Sequence, residues 1–222
     1  MSLIKYHNLL MFQRSATELD VIGEDTNITD FSSNAAEVGM TVTEQSQYLD
    51  LLANITTLRV LHLTLSTLPP GAAFTGLTAL ELNNCAQIMQ VPTTYPSTLE
   101  ALKVASTKVS SIPSVYANLK LLDVSNCKRI SSIGATSLET IIMSHSAVTE
   151  ITDLQNLLRL VALNTKITTV PLAPNLAVIM WSGVANSQLT VHTGNTSLIH
   201  ILTSGPDANI TSTNGVVTSI LL

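Results

Sequence analysis

Charge is scarce in this chain. Lysine, arginine, aspartate and glutamate supply 11% of its 222 residues, and the net charge is -5. No basic run exists to displace phosphate counterions, so nucleic acid is not an expected partner. No Lys/Arg cluster suggests an anionic membrane surface either. Long apolar stretches are also missing: none reaches the roughly eighteen residues of a spanning helix, and membrane insertion is not expected. The opening MSLIKYHNLLMFQRSATE has a short apolar run at Leu9 to Phe12, without the apolar segment and cleavage site of a signal peptide.

Chemistry-bearing motifs are equally sparse. There is no G-x-S-x-G elbow, H-E-x-x-H pair, phosphate-binding P-loop or G-x-G-x-x-G turn. The chain has two cysteines, Cys85 and Cys127, and neither has ligand partners at close spacing, so no metal site is expected. The acids of GEDTNITD, residues 23–30, do not fit the spacing of a calcium loop. The expectation is a protein that is not an enzyme, with no cofactor and no catalytic residue.

What the chain does have is apolar content, at 45%, and a large share of hydroxyl and amide side chains, about a third of all residues. The apolar residues are arranged with a period. LEALKVASTKVSSIP, Leu99 to Pro113, returns as LLRLVALNTKITTVP, Leu157 to Pro171. The triplets are Leu58-Leu61-Leu63, Leu77-Leu80-Leu82, Leu99-Leu102-Val104, Leu119-Leu122-Val124, Leu138-Ile141-Met143, Leu157-Leu160-Ala162, Leu176-Ile179-Trp181 and Leu198-Ile201-Thr203. Their first members lie 19, 22, 20, 19, 19, 19 and 22 residues apart. Fainter rungs stand at Ala16-Leu19-Val21, at Glu37-Met40-Val42 with Tyr48 and Leu51, and at Val217-Ile220-Leu222.

Within x-L-x-L-x the period is two, which is a strand with one face buried, and the rest of each unit must return to start the next strand. A fixed period near twenty residues signals a stacked repeat architecture. The pattern L-x-x-L-x-L-x-x-(N/C/T)-x-(I/V)-x-x-(I/V)-P resembles the leucine-rich repeat family, and most closely its short, bacterial-like repeats. That resemblance implies a solenoid with one parallel β-sheet on a concave face, extended, turn-like or 3₁₀ segments on the convex side, and few regular helices. The expected organisation is an N-terminal arm or cap over 1–15, irregular repeats over 16–57, and regular repeats over 58–222 ending without an obvious C-terminal cap. Strands are expected at Leu61, Leu80, Leu102, Leu122, Ile141, Leu160, Ile179 and Ile201. Several positions where the family places a buried asparagine hold Cys, Thr or Ser here. Cys85 and Cys127 fall on such positions two coils apart, which at about 4.8 Å per strand is too far for a disulfide.

The outward side chains of such a sheet have no duty toward the core, so their identity reports on what the surface touches. The residue between the second and third leucines runs His62, Glu81, Lys103, Asp123, Ile142, Val161, Met180, Leu202. The series changes from charged to apolar halfway. Leu163 and Val178 join the apolar half, Thr140, Arg159 and His200 interrupt it, and Ile220 and Leu222 stand at the open end of the stack. Ile142, Val161, Leu163, Val178, Met180, Leu202, Ile220 and Leu222 are therefore the candidate partner-binding residues. The expected role is a non-catalytic protein-protein interaction or structural module. Its partner would be a protein, either another copy of itself or a larger particle such as a virion. The alternative is a bacterial effector-like or secreted leucine-rich repeat recognition protein.

Overall fold

Each repeat sets its second leucine at the centre of a short strand, with both sequence neighbours facing the opposite way. The computed structural model describes residues 2–6, 9–23, 50–61, 71–134, 137–183, 188–203, 209–212 and 218–221. Its main element is a twelve-stranded sheet. The chain enters it through β1 (Ser2–Tyr6), β2 (Leu9–Gln13) and β3 (Glu18–Gly23), which pair antiparallel. From β3 onward every pairing is parallel. The succession is β4 (Thr57–Leu61), β5 (Ala79–Glu81), β6 (Ala101–Lys103) and β7 (Leu121–Asp123). On the return side lie β8 (Ser132–Gly134) and β10 (Glu150–Thr152), while β9 (Thr140–Ile142) and β11 (Arg159–Thr165) continue the large sheet. The large sheet closes with β13 (Val178–Gly183), β15 (His200–Thr203) and β17 (Thr218–Leu221), and β12 (Thr169–Val170), β14 (Gln188–Val191) and β16 (Asn209–Ser212) form a second return sheet. The molecule is thus a leucine-rich-repeat-like parallel β-solenoid. Helix is confined, among the described residues, to a turn at 50–54 and a 3₁₀ turn at Gly71–Ala73.

The strand centres stack in register as Leu19, Leu58, Leu80, Leu102, Leu122, Ile141, Leu160, Ile179 and Ile201, none more than 1% exposed. This corrects the expected first triplet. Leu58, not Leu61, stands opposite Leu80, and the triplet is Ile55-Leu58-Val60. The stretch ITTLRVLHL, residues 55–63, satisfies the pattern in two frames, and what decides between them is the turn at 50–54. Ile55 N donates to Leu52 O at 3.2 Å, the same bond by which Leu119 N reaches Tyr116 O at 3.2 Å at the start of a later coil. The last rung is also shifted. Ser219, not Ile220, pairs with Ile201, and such a one-residue slip exchanges the two faces of a strand. Val217, Leu222 and the rung expected at Glu37-Met40-Val42 lie outside the described residues.

Five of the described coils leave their strand through one residue in the left-handed region. Asn84, Ser106, Asn126, His145 and Asn164 have φ of 64°, 60°, 59°, 58° and 50°. The turn aims the next side chain inward, so Cys85, Thr107, Cys127, Ser146 and Thr165 form a buried column. The column holds thiols and hydroxyls in place of amides. Cys85 Sγ donates to Val60 O and Cys127 Sγ to Val104 O, both at 3.1 Å and both in the preceding coil, and neither cysteine is part of a disulfide. Burial pushes the Cys127 thiol above its ordinary pKa. A side chain in the left-handed region costs roughly 1–2 kcal/mol relative to glycine, partly offset by glycine's larger unfolded-state entropy. Ser106→Gly is expected to stabilise the chain by up to about 1 kcal/mol, and Ser106→Val to destabilise it by about as much or more. Denaturant midpoints for the two variants should lie on opposite sides of wild type.

The hydroxyl- and amide-rich composition fastens coil to coil. Thr98 Oγ1 donates to Leu77 O, Asn118 Nδ2 to Ser97 O, Ser137 Oγ to Leu119 O and Asn175 Nδ2 to Gln155 O, each at 2.9 Å. All four stand just before the first leucine of a coil and reach the coil before it. Such bonds satisfy carbonyls where the chain has too few residues per coil for a helix. On the return side Phe74 and Tyr95 meet with ring centroids 6.1 Å apart and planes tilted by 40°, and the Tyr116 hydroxyl donates to Pro92 O. Burial raises the Tyr116 phenol to about 12.

Candidate binding surface

Parallel in-register pairing carries the outward residues into continuous rows. The central row reads Asp20, Arg59, Glu81, Lys103, Asp123, Ile142, Val161, Met180, Leu202, Ile220. Arg59 takes the place expected for His62, which lies outside the described residues. The charged half is closed upon itself. Arg59 meets Asp20 at 3.4 Å, Glu18 at 3.6 Å and Glu81 at 3.6 Å, and Lys103 meets Glu81 at 2.8 Å. Asp20, 3% exposed, also receives Arg14. Asp123 Oδ1 accepts from Ser125 N at 2.9 Å. Alternating signs along the row leave little uncompensated charge for a partner to meet.

The apolar half has no such internal satisfaction. Ile142, Leu163, Val178, Met180 and Leu202 are each half-buried, with edges open to solvent. Val161 is 8% exposed yet stands outside the core cluster, because its row neighbours Ile142 and Met180 flank it. It is therefore a floor of the surface rather than a free side chain. Ile220 pairs with Leu202, which extends the row by one strand, and Leu222 lies outside the described residues.

Sequence reasoning missed a second row beside this one. The residues after each first leucine are linked by backbone hydrogen bonds in the order Thr56, Thr78, Glu100, Lys120, Glu139, Leu158, Ala177, Ile199. This row follows the lip where the strands begin. It too turns from polar to apolar, one coil after the central row: the central row changes between β7 and β9, the lip between β9 and β11. Leu158 and Ile199 are 45% and 56% exposed, among the most open large apolar side chains of the described residues. The signal was present in the spacing, since each is simply the second letter of L-x-x-L-x-L. The polar stretch of the lip borders a shallow groove of about 740 Å³, lined by Glu100, Lys120 and the fastening residues Thr98, Asn118 and Asn175. Glu100 and Lys120 pair across it at 3.2 Å.

Arg159 stands inside the apolar half. Its Nη2 lies 3.6 Å from Met180 Sδ, and it is exposed. Among the described residues it makes no ion pair, unlike Arg14, Arg59, Lys103 and Lys120. No group of three or more His, Cys, Asp or Glu among the described residues stands close enough to hold a metal ion, and no described helix is long and apolar enough to cross a membrane.

No protein-family model matches the chain, and a comparison with curated proteins finds no match. Among solved structures the chain is similar to the functional domain of InlJ from Listeria monocytogenes, which includes a cysteine ladder. The identity is 18% and the TM-score 0.46, over 77% of this chain and 45% of that one. The chain therefore spans less than half the length of that structure. The fold described above rests on its own strand pairing.

Proposed function

We propose that the chain is a non-catalytic protein-interaction or structural module of the leucine-rich repeat kind, binding through the apolar half of its sheet face. What carries this reading is that two adjacent rows, central and lip, turn apolar within one coil of each other and stay apolar through β11, β13 and β15. Strand propensity alone favours Ile and Val in a strand, but it does not select an exposed leucine and isoleucine on the lip. Contiguous apolar surface of this kind usually marks an interaction site. The charge-poor, hydroxyl-rich remainder suits a subunit of a larger assembly, a virion component being the candidate.

The test uses Leu163→Glu with Leu202→Glu, both half-buried on the outward face, one four residues along β11 from Arg159 and the other two strands away. Circular dichroism should remain that of wild type, because neither side chain belongs to the core. Affinity capture on the immobilised chain should lose the proteins that wild type retains, since a carboxylate buried without a partner is strongly unfavourable. Glu81→Ala with Asp123→Ala should retain them. Equal retention by folded double-Glu protein and wild type would place the contact elsewhere.

A further inference from the structure

Arg159 distinguishes one kind of partner from others. The remaining cations paired on the sheet and its lip are Arg14, Arg59, Lys103 and Lys120, and each has a carboxylate within the chain. Arg159 has none among the described residues, although its backbone nitrogen bonds Glu139 O at 3.0 Å and so brings a glutamate into the adjoining coil. Instead the guanidinium lies against the Met180 sulfur, with Val161, Val178 and Leu158 around it in register or in sequence. An arginine laid over apolar side chains keeps its planar donor fork fixed and weakly hydrated, the state from which it pairs with a carboxylate at least entropic cost. Arginine set among apolar residues is also the composition of the energetic centre of protein interfaces.

We infer that the partner is a protein segment carrying a carboxylate flanked by apolar side chains, with the carboxylate received by Arg159. This rests on the proposed binding role of the same face and names the chemistry it recognises. Closing the face over Arg159 removes its guanidinium from water, so a partner lacking the anion would leave a buried, unpaired charge. The inference therefore concerns discrimination as much as affinity: an apolar segment bearing an amide or a lysine at the same place is rejected.

The probe is a panel of synthetic apolar peptides with one central Glu, each with Gln and Lys counterparts, measured by fluorescence polarisation against the full chain. Glu peptides should bind at least about tenfold more tightly than their Gln counterparts, and Lys counterparts should not bind. On Arg159→Gln the difference between Glu and Gln peptides should vanish, whereas Arg159→Lys should keep part of it, with circular dichroism confirming that both variants fold. Equal binding of Glu and Gln peptides to wild type, no binding by any peptide, or an unchanged Glu preference on Arg159→Gln would overturn the inference. The two readings fail separately: capture lost with the Leu163→Glu and Leu202→Glu pair but intact with Arg159→Gln would defeat only the role given to Arg159, whereas capture unchanged by the folded double-Glu pair would defeat the broader reading.

Discussion

Leu122→Ala is expected to cost about 2 to 5 kcal/mol, the range for large truncations in a packed core. The residue is 1% exposed and stands in register between Leu102 and Ile141, both fully buried. In a solenoid each coil packs only against its neighbours, so a void at mid-stack weakens two contacts at once and no distant layer closes over it. The comparison variant is Lys103→Ala, on the opposite face of the adjacent strand. Its ion pair with Glu81 is partly exposed, and such pairs contribute at most about 1 kcal/mol. Urea denaturation can follow both through the single tryptophan, Trp181, which is buried and donates from Nε1 to Ile167 O at 3.3 Å. Equal shifts for the two variants would mean that the faces are reversed.

Arg59→Met should be the most damaging change on the outward face, at about 3 kcal/mol. The guanidinium serves three carboxylates, and one of them, Asp20, is buried. Removing one partner of a buried pair typically costs roughly 3–5 kcal/mol because the other charge is left without compensation. Arg14 still reaches Asp20, which places the expectation at the lower end. Asp20→Asn combined with Arg59→Met should recover part of the loss, since the stranded charge is then gone. A cost for Arg59→Met below about 1 kcal/mol, the ordinary value of an exposed pair, would show that the ladder is surface decoration.

The solenoid was legible in the sequence because its core is written in leucines at a repeated spacing, and parallel stacking turns spacing directly into register. Legibility failed where the writing was redundant or thin. LRVLHL carries leucines two and three apart, so the first coil could be framed on Leu58 or Leu61, and the deciding bond from Ile55 to Leu52 is a backbone feature. At the last rung, TSILL offers apolar residues on both parities, and Ile220 falls opposite Leu202 rather than Ile201. The left-handed turns were legible only in part: asparagine at 84, 126 and 164 is the usual occupant, but Ser106 and His145 take the same conformation because the coil geometry over-determines them. The switch from charged to apolar along the central row was readable letter by letter. That its charged half is neutralised was not, because the Asp20–Arg59–Glu81 chain joins residues 39 and 22 positions apart and depends on the corrected frame. The exposure of Leu158 and Ile199 is likewise a property of the lip, which no single strand's alternation encodes.

The apolar half of the sheet face is proposed as the place where this protein meets its partner. Hydrogen–deuterium exchange of the chain, alone and with a protein recovered by the capture experiment, tests it most directly. Added protection is expected in β11, β13 and β15 and in the lip segments at Leu158 and Ile199, with β5, β6 and β7 unchanged. Protection confined to β5–β7, or to the return strands β8, β10, β12 and β14, would contradict it.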